Sequence, residues 1–139
     1  MQTEALELAR RYRSVSYDRE DGTWFYIEKL AMPPGWNKQY VDILIDIPWG
    51  NPGYPSVAPQ WFWTDQDLAT SSGRSIQHFF TRGSNLADRQ HLDKGWGHFC
   101  VHINQWRPAG GRNWQQGHSL ISYLDLIKTI FRDRKRLTR

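Results

Sequence analysis

The chain has 139 residues, 39% hydrophobic and 23% charged, which suits one globular core and excludes an intrinsically disordered chain. The net charge of +4 hints at nucleic acid, but the last eight residues, RDRKRLTR, hold five of the 18 basic and one of the 14 acidic side chains, so the remainder balances to neutral. Direct nucleic-acid binding is therefore not expected, and the basic tail at 132–139 reads as a solvated end able to touch phosphates or an anionic partner. No stretch approaches the ~18 apolar residues of a membrane span, and MQTEALELARRYR has no apolar signal core. One cysteine makes no intramolecular disulfide, which fits a reducing cytoplasm. Eight tryptophans imply large rings in the core, with some left over for surfaces.

In chain order, Leu6, Ala9 and Tyr12, with Ala5 and Leu8, recur at helical spacing over residues 2–13. On that helix Arg10, Arg11 and Arg13 form a basic face, either solvated or partner-facing. Residues 18–22 are polar punctuation, and TWFYIEKL at 23–30 reads as a strand. Pro33, Pro34 and Gly35 force a turn. In YVDILIDI at 40–47, Val41, Ile43, Ile45 and Ile47 face one way and Asp42 and Asp46 the other, the pattern of a half-buried strand in an antiparallel sheet. PWGNPGYPSVAP at 48–59 holds four prolines, so it is an excursion between strands. QWFW at 60–63 resumes an extended pattern. The run 64–97 is polar apart from Ile76, Phe79 and Phe80, and periodicity assigns no element there. HFCVHI at 98–103 is extended, and Leu120, Ile121, Leu124, Ile127, Ile130 and Phe131 predict an amphipathic helix over 119–132. The expected architecture is α+β, one domain over 1–139 with a helix laid across an antiparallel sheet.

The chemistry gathers at the lone cysteine. In an extended segment His98, Cys100 and His102 share one face, and Phe99 and Val101 the other. Three readings stay open. Free cysteine is commonly buried, so Cys100 could be structural. Zinc is a second reading, with His91 or His78 as a further ligand. However, residues two apart on a strand lie about 6.6 Å apart and rarely converge on one ion, and no paired ligand motif is present. The third is a nucleophile whose neighbouring histidines favour the thiolate or move a proton, with Asp93 or Asn104 available as an orienting group.

The order of motifs adds to this reading. Ile47-Pro48, then Tyr54-Pro55 and Pro59, an extended segment, Cys100, Trp106-Arg107-Pro108 and an amphipathic helix together resemble a ubiquitin-conjugating enzyme. In that family a Tyr-Pro-x-x-Pro flap precedes the catalytic cysteine, which is followed by Trp-x-Pro. The chain looks closest to the divergent bacterial branch, encoded beside ubiquitin-like modifiers, activating enzymes and deconjugating peptidases. The resemblance implies a UBC-like fold, an antiparallel meander with an N-terminal and a long C-terminal helix. It also implies a transferase: a ubiquitin-like modifier protein, delivered by an activating enzyme, forms a thioester on Cys100 and passes to an amine of a target protein. No cofactor or metal is implied, and antiviral defence is an expectation from the company such relatives keep.

Departures from the family pattern mark further candidates. Where the family carries His-Pro-Asn, this chain reads Gln90-His91-Leu92-Asp93-Lys94-Gly95, so His91 or Asp93 is expected to take part of that asparagine's work. His102, two places after the cysteine, is expected to orient or deprotonate the amine, with His98 on the other side. Pro55 and Cys100 are about twice as far apart as the family usually has them, which implies an insertion within 64–90. Trp106 and Pro108 read as structural, with the ring beneath the active-site loop. By analogy of position Arg10, Arg11 and Arg13 would meet the activating enzyme. Two rival readings remain: an inactive UBC-like module that binds a modifier or its activating enzyme, and a metal or thiol hydrolase on an unrelated fold.

Overall fold

The structure is a computed structural model, described here over residues 2–12, 14–81, 91, 94–101, 103, 105–108 and 117–133. Helix α1 (Gln2–Arg11) leads into strands β1 (Ser14–Tyr17), β2 (Trp24–Ala31), β3 (Tyr40–Asp46), β4 (Trp61–Asp65), β5 (Phe79–Phe80) and β6 (Trp96–Cys100). Helix α2 (Leu120–Arg132) follows. The strands form a six-stranded sheet in the order β1-β2-β3-β4-β6-β5, every neighbouring pair antiparallel. The molecule is therefore α+β, as its sequence pattern predicts. No helix among the described residues is long and apolar enough to cross a membrane.

Alternation builds the inner face of the sheet. Phe25 and Ile27 of β2, Val41, Ile43 and Ile45 of β3, Phe62 of β4 and Phe99 of β6 are buried, and α2 lies across them with Leu120, Ile121, Tyr123, Leu124, Ile127 and Phe131. Phe62 stacks on Phe99 at 5.0 Å, and the Phe131 ring meets both edge-on at 5.9 and 5.8 Å. Ser119 caps α2: its Oγ accepts from the Ile121 N–H at 3.1 Å, and Ser122 Oγ accepts from the Ser119 N–H at 2.8 Å. These two bonds satisfy donors that a helix start leaves free.

A further donor at that helix start finds a carboxylate from far away in the sequence. The Leu120 N–H donates to Glu4 Oε1 at 3.1 Å and to the Tyr54 hydroxyl at 3.0 Å, and that hydroxyl itself donates to Glu4. Glu4 is only 5% exposed, so α1, the proline-rich flap and α2 meet at one buried acid. Burial, with the Glu4 charge second, pushes the Tyr54 phenol far above its usual range, which keeps it a donor.

The helix α1 buries a different stripe from the expected one. Ala5 and Leu8 are buried and Tyr12 packs partly against the core, whereas Leu6 is 64% exposed and Ala9 is exposed. Positions 4, 5, 8 and 12 fall on one face at 3.6 residues per turn, and 6 and 9 flank it. Strands β1 and β5, which periodicity does not find, are the two sheet edges, and both are short. The described part of the 64–90 segment folds back on the turn after β2, where Asn37 exchanges hydrogen bonds with Asp67 O and the Ala69 N–H at 2.9 and 2.8 Å. It then supplies β5. Residues 82–90 and 134–139 lie outside the described residues.

The β5 edge depends on one missing side chain. The Phe79 ring stacks on Phe99 at 4.5 Å and lies over Gly97, where a Cβ would come within 2.4 Å of the ring. Gly97→Ala is expected to lower stability by about 1–3 kcal/mol through overpacking. In a Phe79→Ala background the same change should cost little. Urea denaturation of the four proteins checks this coupling.

Candidate active site around Cys100

Strand pairing delivers Cys100 to the end of β6. The register sets it opposite Trp61, with His98 opposite Trp63 and Trp96 opposite Asp65. Outward-facing residues alternate with Gly97 and Phe99, so His98 and Cys100 do share the outer face. Regular pairing stops at Cys100, short of the expected run to Ile103. The Cys100 N–H donates to His78 O at 3.0 Å, from a residue held in the left-handed region at φ 61°, and the Val101 N–H donates to Gln60 O at 2.7 Å. The sulfur is thus at a strand terminus, half-buried, beside an indole that is 41% exposed. Burial pushes the Cys100 thiol above its usual value.

The outer face is not uniformly wet. His98 is 8% exposed and packed among Trp61 at 5.7 Å, Trp63 at 4.7 Å and Phe80 at 6.3 Å, because large rings from the two neighbouring strands, β4 and β5, close over it. Its Nδ1 has no hydrogen-bond partner. Burial lowers its pKa below the usual 6.5, opposed by the more distant Asp46 charge, so the ring is neutral. His91 reaches the same cluster, its ring edge-on to Trp63 at 4.9 Å and its Nε2 3.7 Å from Asp46 Oδ1. The other Asp46 oxygen accepts from Trp63 Nε1–H at 2.8 Å.

His91 and His98 therefore converge on Trp63 and Asp46, one row along the sheet from the sulfur. Among the described residues no three His, Cys, Asp or Glu side chains meet where an ion could sit. His102, Asp93 and Arg13 lie outside the described residues. Asp46 was legible only as the polar face of a strand; its role as the acid of this cluster depends on β4 bringing Trp63 alongside. Asp46 and His91 also line a cleft of about 730 Å³ that opens on the outer face between Trp24, Tyr26, Trp49 and Trp96.

After the cysteine the chain is tied to the flap. Trp106 Nε1–H donates to Pro55 O at 2.7 Å, and its ring meets Tyr54 at 6.4 Å. The indole is half-buried, wedged beside the flap. Arg10 and Arg11 stand on the exposed side of α1, each within 4 Å of Glu7, at 3.7 and 3.5 Å. Exposed pairs of this kind hold little energy, so both guanidiniums are free to exchange partners.

The buried neutral His98 links stability to pH. Its unfolded form takes up a proton near 6.5 while the folded form resists, so the stability it contributes is intact above that pH and is lost as pH falls through the lower folded value. His98→Leu is expected to flatten the decline in stability between pH 7 and 5 relative to wild type, as chemical denaturation at each pH would measure.

Three comparisons with known proteins bear on this arrangement. The curated proteins and the solved structures yield no match. The model of prokaryotic E2 family E matches residues 9–132, from the first helix through the whole of α2. A match over that much of the chain, spanning the flap, Cys100 and the capped helix, means that this protein belongs to the prokaryotic E2 family E, a bacterial E2-like family.

Proposed function

We propose that the protein is the conjugating transferase of a ubiquitin-like modification pathway and that Cys100 carries the modifier. The observation that supports this most is the place of the only cysteine: half-exposed, at the point where β6 stops pairing, and just ahead of a segment anchored to the flap, in an E2-family chain. A nucleophile needs that combination of access and a fixed backbone.

The proposed chemistry is two acyl transfers. Cys100 Sγ attacks the thioester carbonyl joining the modifier's C-terminus to an activating enzyme; the new S–C bond forms as the activating enzyme's sulfur leaves and takes the proton. An amine of the target protein then attacks the Cys100 thioester, an isopeptide-type bond forms, and Cys100 leaves as a thiol. Both steps exchange like for like at sulfur, so a depressed thiol pKa is not needed, and a thiol raised by burial is compatible with them. We assign removal of the amine's proton to His102, and support of the developing oxyanion to Asp93. Arg10 and Arg11, exposed on α1, with Arg13 beside them in sequence, are assigned to contact with the activating enzyme.

A non-reducing gel of the protein with ATP, a cognate activating enzyme and its modifier tests the reading. Wild type should form a reductant-sensitive adduct, Cys100→Ala none, and Cys100→Ser a reductant-resistant one. A charged activating enzyme with uncharged wild-type protein would instead favour a module that binds the modifier without carrying it. Independently, alkylation of Cys100 by iodoacetamide should be slow at pH 7 and accelerate about tenfold per pH unit up to beyond pH 9, because only the thiolate reacts.

A further inference from the structure

We infer that His118 is a positioning residue for the segment that follows Cys100: a neutral imidazole, accepting at Nδ1, that fastens residues 105–108 to the start of α2. Three contacts carry this. The Arg107 N–H donates to His118 Nδ1 at 2.9 Å, the His118 N–H returns a bond to Arg107 O at 2.6 Å, and the imidazole stacks on Trp106 at 5.2 Å with 22° between the planes. Pro108 and His118 form an isolated bridge at the same place. An imidazole that accepts at Nδ1 must carry its single proton on Nε2, so the contact fixes the tautomer.

The anchor is firm because of where His118 sits. It directly precedes Ser119, whose side chain and backbone are both engaged in the capping box, so the imidazole projects from a fixed point. On its other side Trp106 is held by Pro55 O and the Tyr54 ring. After the sulfur, Val101 is thereby held by Gln60 O and Arg107 by His118. Each of these bonds is backbone-directed, so each sets the path of the main chain rather than the direction of one side chain.

For the transfer proposed above, on which this inference rests, a fixed path keeps the bound acyl group oriented toward the amine and shields it from water. Releasing Arg107 should therefore shift the fate of the thioester from amine transfer toward hydrolysis. Two substitutions separate the contacts. His118→Phe keeps a ring over Trp106 and deletes the acceptor; His118→Asn places an amide oxygen where Nδ1 stood.

The test has two arms. In the first, nitrogen-15 NMR of the uncharged protein should find His118 protonated at Nε2 only. The Arg107 amide should exchange with solvent about tenfold faster in His118→Phe and return toward wild type in His118→Asn. An Nδ1-protonated ring, or Arg107 exchange unchanged by His118→Phe, would overturn the anchor. In the second, single-turnover discharge of the charged protein to a lysine amine should favour transfer over hydrolysis about three- to tenfold less in His118→Phe, with recovery in His118→Asn. An unchanged ratio despite a freed Arg107 amide would overturn the positioning role. If wild type never charges while the activating enzyme does, the transferase reading fails and the exchange arm still decides the anchor by itself.

Discussion

A single buried carboxylate organises this protein. Glu4 comes from the first turn of α1, yet it accepts the first backbone donor of α2 and the hydroxyl of Tyr54 in the flap. The opening N–H groups of a helix carry partial positive charge and lack intrahelical partners, so an acid there is favourable. Removing water from an acid is costly, and it is tolerated here because both a helix start and a phenol donate to it. Three segments otherwise far apart in sequence are thereby pinned at one point, and the segment after Cys100 is tied to that point through the flap, which holds Trp106.

From this junction the two faces of the sheet take different roles. The inner face is a conventional aromatic and aliphatic core under α2. The outer face is covered in patches by indoles and imidazoles, dense at His98 and open toward Trp24 and Trp49, with the cysteine at its margin. A sulfur at such a margin is solvated enough to meet a macromolecular partner and desolvated enough to stay protonated. Asp46, bonded to Trp63 and facing His91, orders the aromatic patch one row from the cysteine.

Much of this was legible in the sequence, and the gaps have physical causes. Strands β2 and β3 and helix α2 announce themselves because one side of each is buried and the other is not, so their periods survive in the residue order. The motif order around Tyr54, Cys100 and Trp106 is likewise readable, because each motif is local. By contrast β1 and β5 are short edges with one neighbour each, and their exposure pattern hardly differs from that of a loop. The burial of His98 could not be read from alternation, which assigns a face but says nothing of what covers it; the rings of β4 and β5 decide that. The task of Glu4 could not be read from the residue order, since one of its partners, Leu120, lies 116 positions away. His118 sat in a polar stretch with no pattern, and only the parallel approach of Pro108 gives it a task.

The half-buried state of Cys100 has a bearing on survival under oxidant. Peroxide attacks thiolates, and the first product, a sulfenic acid, becomes stable damage when no second thiol resolves it. This chain has no second cysteine with which to resolve it. A thiol kept protonated by its surroundings holds the sulfur in its least oxidisable form. The packing that sets the sulfur at the edge of the sheet thus also acts against its oxidation.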